Sequence, residues 1–200
     1  MATAARALSE CLDHKDPLSI TGHYLSRVES GKAILEIEKL NIGRSVSTAL
    51  LRFIQGEEER IRFTACFTDF SKSKGDTLQE RGPPDFPPIE ECIKMPYKKG
   101  FTPVLEKQID RRFTPKSDWW EEDRERDRAC LDAYMSWPGG EPADLFSVIF
   151  FLDTMSPPIF NRLGSRGWVP SIELTLHLMQ KPSPGPVSYT HLTLPTNREV

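Results

Sequence analysis

No Cys-x-x-Cys pair occurs in these 200 residues, and the four cysteines, Cys11, Cys66, Cys92 and Cys130, stand far apart. That argues against a structural zinc site or a disulfide framework and leaves free thiols in a reducing compartment as the expectation. Charge of one sign is equally scarce. The 26 Lys and Arg nearly balance 29 Asp and Glu, and a net charge of −3 gives no general pull toward nucleic acid or an anionic membrane. No apolar run approaches the roughly 20 residues of a membrane span. At the start, MATAARALSECLDHKD places Arg6 and Glu10 inside what would be a secretion signal's apolar core, so it reads as a short amphipathic helix. A Gly-x-Ser-x-Gly elbow, a Gly-rich phosphate loop and a metal-ligand cluster are all missing, and the histidines follow no nucleophile pattern. Serine-triad, phosphate-loop and metal chemistry are therefore unsupported.

What is present begins with an echo. Moved back by about 154 positions, the stretch 168–185 falls on 17–31, so that Thr175 meets Thr21, His177 meets His23 and Gly185 meets Gly31. Ile172, Leu174, Leu178 and Met179 then meet Leu18, Ile20, Tyr24 and Leu25. Two similar copies of a helix-then-strand unit predict a duplicated fold. The composition, 38% hydrophobic and 28% charged, is that of an ordinary soluble protein, and the length allows one medium domain or two small ones.

In chain order, residues 3–12 carry Ala, Leu and Cys at helical spacing. Four strand-like runs follow at 19–28, 33–40, 45–55 and 61–70, with Leu35 and Ile37 alternating against Glu36 and Glu38, and Ile61, Phe63, Ala65 and Phe67 sharing one face. Short connections make them an antiparallel meander with one apolar face, and the preceding helix is the nearest cover. Residues 71–100, rich in Pro and charge, read as a surface linker. Strands are expected at 101–113 and 129–137. Between them lies a charged, solvated loop, SDWWEEDRERDR, under which Trp119 and Trp120 pack. Residues 143–161 are apolar on nearly every side of a helix, which predicts one buried all round that ends near Met155, before Pro157 and Pro158. A last strand is expected over 168–181.

A buried helix followed by an antiparallel meander, repeated twice, resembles the double-hotdog acyl-CoA thioesterases. The resemblance rests on 17–31 leading to Gly43-Arg44-Ser45 and Ser47-Thr48, then Phe53-Ile54-Gln55-Gly56. In the second half it rests on Leu152-Asp153, Pro157-Pro158-Ile159-Phe160, Pro170-Ser171-Ile172-Glu173-Leu174 and Lys181-Pro182 with Pro184-Gly185. It implies an α+β chain of two tandem hotdog units, each an antiparallel sheet wrapped around a helix. The domains would be 1–70, a linker at 71–100, and 101–185. The first unit would lack its opening strand and the second its last strands. Residues 186–200, PVSYTHLTLPTNREV, are similar to adaptor-derived read-through peptides and fit no continuation of the strand pattern. The expectation is a fragment whose native sequence ends near Gly185, with little activity and poor solubility. The resemblance further implies an acyl-CoA substrate, no cofactor beyond the coenzyme A of that substrate, no metal, no nucleic-acid partner and no membrane span. It also allows a homo-oligomer formed through the hotdog sheets and a cytoplasmic or peroxisomal location.

Asp153 is the first candidate site residue. It lies near the C-terminal end of an apolar helix, where the dipole disfavours a carboxylate and burial would penalise its charge. Such an acid is either functional or a helix-end Asp reaching water. In the resembled thioesterases a helix Asp, a Ser or Thr at the start of the next strand and a Gln on a late strand position a water that attacks the thioester carbonyl. Asp153 fits the first role and Ser171 the second; no residue fills the third, and Gln55 falls on too early a strand. His23 and His177, matched in the two copies, are expected to share a packing role, and His14 to be an exposed turn residue. The alternative function is a non-catalytic acyl-binding or scaffold protein. A hotdog hydratase would want a His close after Asp153, and none is there.

Overall fold

A computed structural model describes residues 1–76, 78, 80, 82, 84–100, 102–121, 127–164, 167 and 169–193. The chain forms two compact units. The first comprises Met1–Leu78, Asp144–Asp153 and Pro170–Pro182; the other described residues make the second.

In the first unit, helix α1 (Ala2–Cys11) is followed by strands β1 (Asp16–Tyr24), β2 (Ile34–Ile42), β3 (Ser47–Gln55) and β4 (Glu58–Thr68). Helix α2 (Leu145–Asp153) and strand β7 (Glu173–His177) complete it. The sheet is antiparallel in the order β2-β3-β4-β1-β7. Alternation sends Ile20, Ala49, Leu51, Ile61, Phe63, Ala65 and Phe67 to one face, where they form a continuous core with Ala4, Ala5 and Leu8 of α1 and Leu145 and Ile149 of α2. Each fully buried large side chain in such a core contributes about 1.5–3 kcal/mol. Gly22 serves close approach: a Cβ there would stand 2.6 Å from the Phe63 ring.

The predicted meander is present, and the predicted echo has a spatial counterpart. In the β1–β7 ladder Thr21 pairs with Thr175, the two residues that the repeat aligns, and their hydroxyls share a 2.9 Å hydrogen bond. Ile20 stands opposite Leu176 and Gly22 opposite Leu174, so the two copies run past each other about that pair. Strand β7 is shorter than the predicted 168–181, spanning only Glu173–His177. Trp168 lies outside the described residues.

Helix α2 starts on Asp144, whose carboxylate accepts from the Ser147 backbone N–H (2.7 Å) and hydroxyl (2.7 Å), while the Asp144 N–H donates back to Ser147 Oγ (3.1 Å). This is a reciprocal cap. Arg6 adds an ion pair to Asp144 at 3.2 Å and stacks 4.3 Å from the Phe146 ring centre. The expectation of burial all round is only partly met. Leu145, Ser147, Ile149 and Phe151 are buried, but Phe146, Val148, Phe150 and Leu152 are half-buried and Asp153 is exposed.

The second unit carries strands β5 (Asp110–Phe113), β6 (Cys130–Ser136) and β8 (Val187–Leu192), in the order β5-β6-β8, and helix α3 (Ile159–Leu163). The strand predicted over 101–113 shrinks to its last residues behind a 3-10 turn, Val104–Gln108, that opens after Pro103; Phe101 is outside the described residues. Pro157 and Pro158 end α2 as expected, yet they also open α3, since proline's fixed φ suits a helix start. The tail does continue the strand pattern. Residues 187–192 pair with β6 because Val187, Tyr189 and His191 turn a half-buried face inward while Ser188, Thr190 and Leu192 face solvent. Residues 194–200 are outside the described residues.

Trp119 and Trp120 pack as predicted, Trp119 on Phe160 (5.3 Å between ring centres) and Trp120 on Phe113 (5.2 Å); residues 122–126 of that charged loop are not among the described ones. The Asn161 amide donates to the carbonyls of Lys116, Arg128 and Cys130, tying α3 to the chain beneath it. The fully buried Arg111 guanidinium pairs with Glu106 (2.8 Å) and holds the Thr154 carbonyl and hydroxyl. Of the predicted linker, residues 86–94 lie against this sheet: Phe86 meets the Tyr134 ring edge-on and Ile93 bridges to Phe113.

Candidate active site

Asp153 ends α2, as the apolar run and Pro157 dictate. The setting differs from the expected one. Its side chain is 27% exposed rather than sealed in apolar surroundings, because the residue sits past the last buried turn of the helix. The Tyr24 phenol donates to Asp153 Oδ1 at 3.1 Å, and the Met1 ammonium stands 3.5 Å from Oδ2. Tyr24 is the last residue of β1, where alternation turns its ring to the helix side of the sheet. Burial, and after it the charge and hydrogen bond of Asp153, push the Tyr24 phenol well above the usual tyrosine range. Tyr24 therefore remains a donor at neutral pH.

Ser171 is exposed, just ahead of β7. No direct hydrogen bond joins it to Asp153 among the described residues. What brings its neighbourhood to the same end of β1 is the next residue: the Tyr24 N–H donates to the Ile172 carbonyl at 2.9 Å. Tyr24 thus bonds to both segments that carry the predicted residues. Sequence reasoning missed it. The available signal was that Tyr24 is the polar member of an otherwise apolar match, facing Leu178 in the other copy.

The histidines depart from expectation. His23 and His177 are both exposed on the solvent face of the sheet, with His23 4.0 Å from the Glu173 carboxylate, so neither packs in the core; the period of two puts both on the outer side. His14 is half-buried rather than a free turn residue, its Nδ1 2.7 Å from the buried Ser47 hydroxyl. Gln55 staples a turn, exchanging two hydrogen bonds with the Glu29 main chain.

A concavity of about 410 Å³ lies elsewhere, lined by Glu36, Ile37, Glu38, Leu50, Arg52 and Arg62. Of its charged side chains, Arg52 bridges Glu36 and Glu59, and Arg62 grips Glu59. It shares no residue with the Asp153 neighbourhood. Among the described residues, no three His, Cys, Asp or Glu side chains are grouped to hold a metal ion, and no helix is long and apolar enough to cross a membrane.

Solved structures with this architecture define the class. A candidate thioesterase II from Thermobifida fusca superposes with a TM-score of 0.84 at 24% identity, over 99% of this chain and 74% of its own. A candidate thioesterase from Novosphingobium aromaticivorans gives 0.78 at 17% identity, over 98% and 74%. A hot dog fold protein of unknown function from Alicyclobacillus acidocaldarius gives 0.73 at 19%, over 89% and 66%. The chain is thus an α+β protein with antiparallel sheets, few helices and hotdog-fold neighbours. A search of curated proteins finds no match. The family profile of the acyl-CoA thioesterase N-terminal domain matches residues 1–68, and that of the acyl-CoA thioesterase C-terminal domain matches 89–193. The chain belongs to the acyl-CoA thioesterase family.

Proposed function

We propose that the protein is a tandem hotdog that hydrolyses acyl-CoA thioesters by water attack, with Asp153 as the base that activates or orients the water. Ser171 would hold that water or the developing oxyanion. The observation that carries this reading is the placement of Asp153 at the solvent-facing end of an apolar helix, fixed by Tyr24 and leaving carboxylate lone pairs accessible. In the reaction, the water oxygen bonds to the thioester carbon as its proton passes to the carboxylate. The tetrahedral intermediate then expels the coenzyme A thiolate, which takes up the proton. The acyl chain would lie along the side of α2 that carries the half-buried Phe146 and Phe150. The tandem organisation is supported by the Thr21–Thr175 pairing of the two copies.

The exposure of Asp153 favours a second reading, in which the fold binds acyl groups without hydrolysing them. Coenzyme A release from acyl-CoA of graded chain length decides between them, measured for the full-length protein as parent and for its Asp153→Asn variant. The hydrolytic reading expects parental turnover and a loss of at least about 100-fold in the variant. A variant as fast as the parent overturns the role of Asp153. Acyl-CoA binding with no parental turnover at any chain length establishes the binder.

A further inference from the structure

We propose that Tyr24 is the positioning residue of this site, its phenol orienting the Asp153 carboxylate and its main chain anchoring the segment that carries Ser171. The inference rests on the hydrolytic reading above. Tyr24 closes β1, and two bonds leave it in different directions: the phenol to Asp153 Oδ1 (3.1 Å) and the N–H to the carbonyl of Ile172 (2.9 Å), the residue after Ser171. The end of α2 and the approach to β7 are thereby referred to one residue on a strand that is paired on both sides.

A carboxylate offers about four lone-pair positions. The phenol occupies one on Oδ1, and the Met1 ammonium stands near Oδ2, which leaves positions for a water. An exposed Asp side chain without such an anchor exchanges among its rotamers, and its water-activating orientation is populated for only part of the time. Tyr24 does not supply a proton to the reaction. Its hydroxyl stays protonated, because burial and the adjacent carboxylate both disfavour the phenolate. Its effect on rate is to hold the carboxylate aimed.

Tyr24→Phe removes one hydroxyl and keeps the ring, so the packing is preserved. One measurement needs no turnover: ring-carbon NMR of the four tyrosines across the alkaline range, with Tyr24→Phe identifying the Tyr24 signal. Asp153→Asn is expected to let Tyr24 ionise at lower pH than in the parent; an unchanged titration overturns the coupling. The second measurement is hydrolysis. Tyr24→Phe is expected to lower kcat about tenfold with KM within about twofold, the split expected when an interaction acts in the transition state. An unchanged kcat overturns the inference even where Asp153→Asn is inactive. Titration coupling without parental hydrolysis upholds the Tyr24–Asp153 bond and overturns the hydrolytic reading instead.

Discussion

Single side chains settle much of the chemistry and some of the stability. Asp153 is placed by its helix and held by Tyr24, and both halves of that arrangement are tested by the substitutions above. Glu59 is a carboxylate held by hydrogen bonds from two arginines. Hydrogen bonds from Arg62, against the opposing pull of burial, and a further one from Arg52 hold its carboxyl down at about 2, against an ordinary 4.5. A depressed carboxylate contributes stability that is fully present above its unfolded value and lost as pH falls through its folded one. Glu59→Gln should therefore be less stable than the parent at neutral pH. The gap should shrink as the pH falls from about 4.5 toward 2, as read from urea unfolding at a series of pH values.

At the scale of elements, α2 depends on its first turn. Asp144 satisfies otherwise orphaned donors through Ser147. Burial opposes its ionisation, but the Ser147 bonds and Arg6 prevail and hold its carboxyl below the usual range. Asp144→Ala should cost about 1 kcal/mol in chemical denaturation. Elements also show where local reading failed. Residues 101–113 looked strand-like by composition, yet Pro103 opens a 3-10 turn and only Asp110–Phe113 finds a ladder. The short α3 was hidden because the two prolines that stop one helix can begin another. Residues 187–192 alternate, and the meaning of that alternation depended on β6 offering a side to pair with.

For the whole molecule, β2 is one of the two outermost strands of the larger sheet. β2 presents Ile34 (60% exposed), Leu40 (49%) and Ile42 (40%) beside its edge. Such an edge promotes association between copies, which charge suppresses. Leu40→Lys should reduce concentration-dependent light scattering while changing unfolding stability by no more than about 0.5 kcal/mol, the range of surface substitutions. The meander, the opening helix, the apolar helix and the echo of residues 17–31 were all legible in the chain, because periods of 2 and 3.6 and the positions of proline are properties of the chain itself. Asp153 and Ser171 could be named in advance from the resemblance, since their motifs are contiguous in sequence. The partners of those motifs were not legible. That Thr21 would meet Thr175, that His23 and His177 would face solvent, and that Tyr24 would reach Asp153 were decided only when the sheet formed. Strand register and side-chain reach depend on which distant segments pack together, and nothing local encodes that choice.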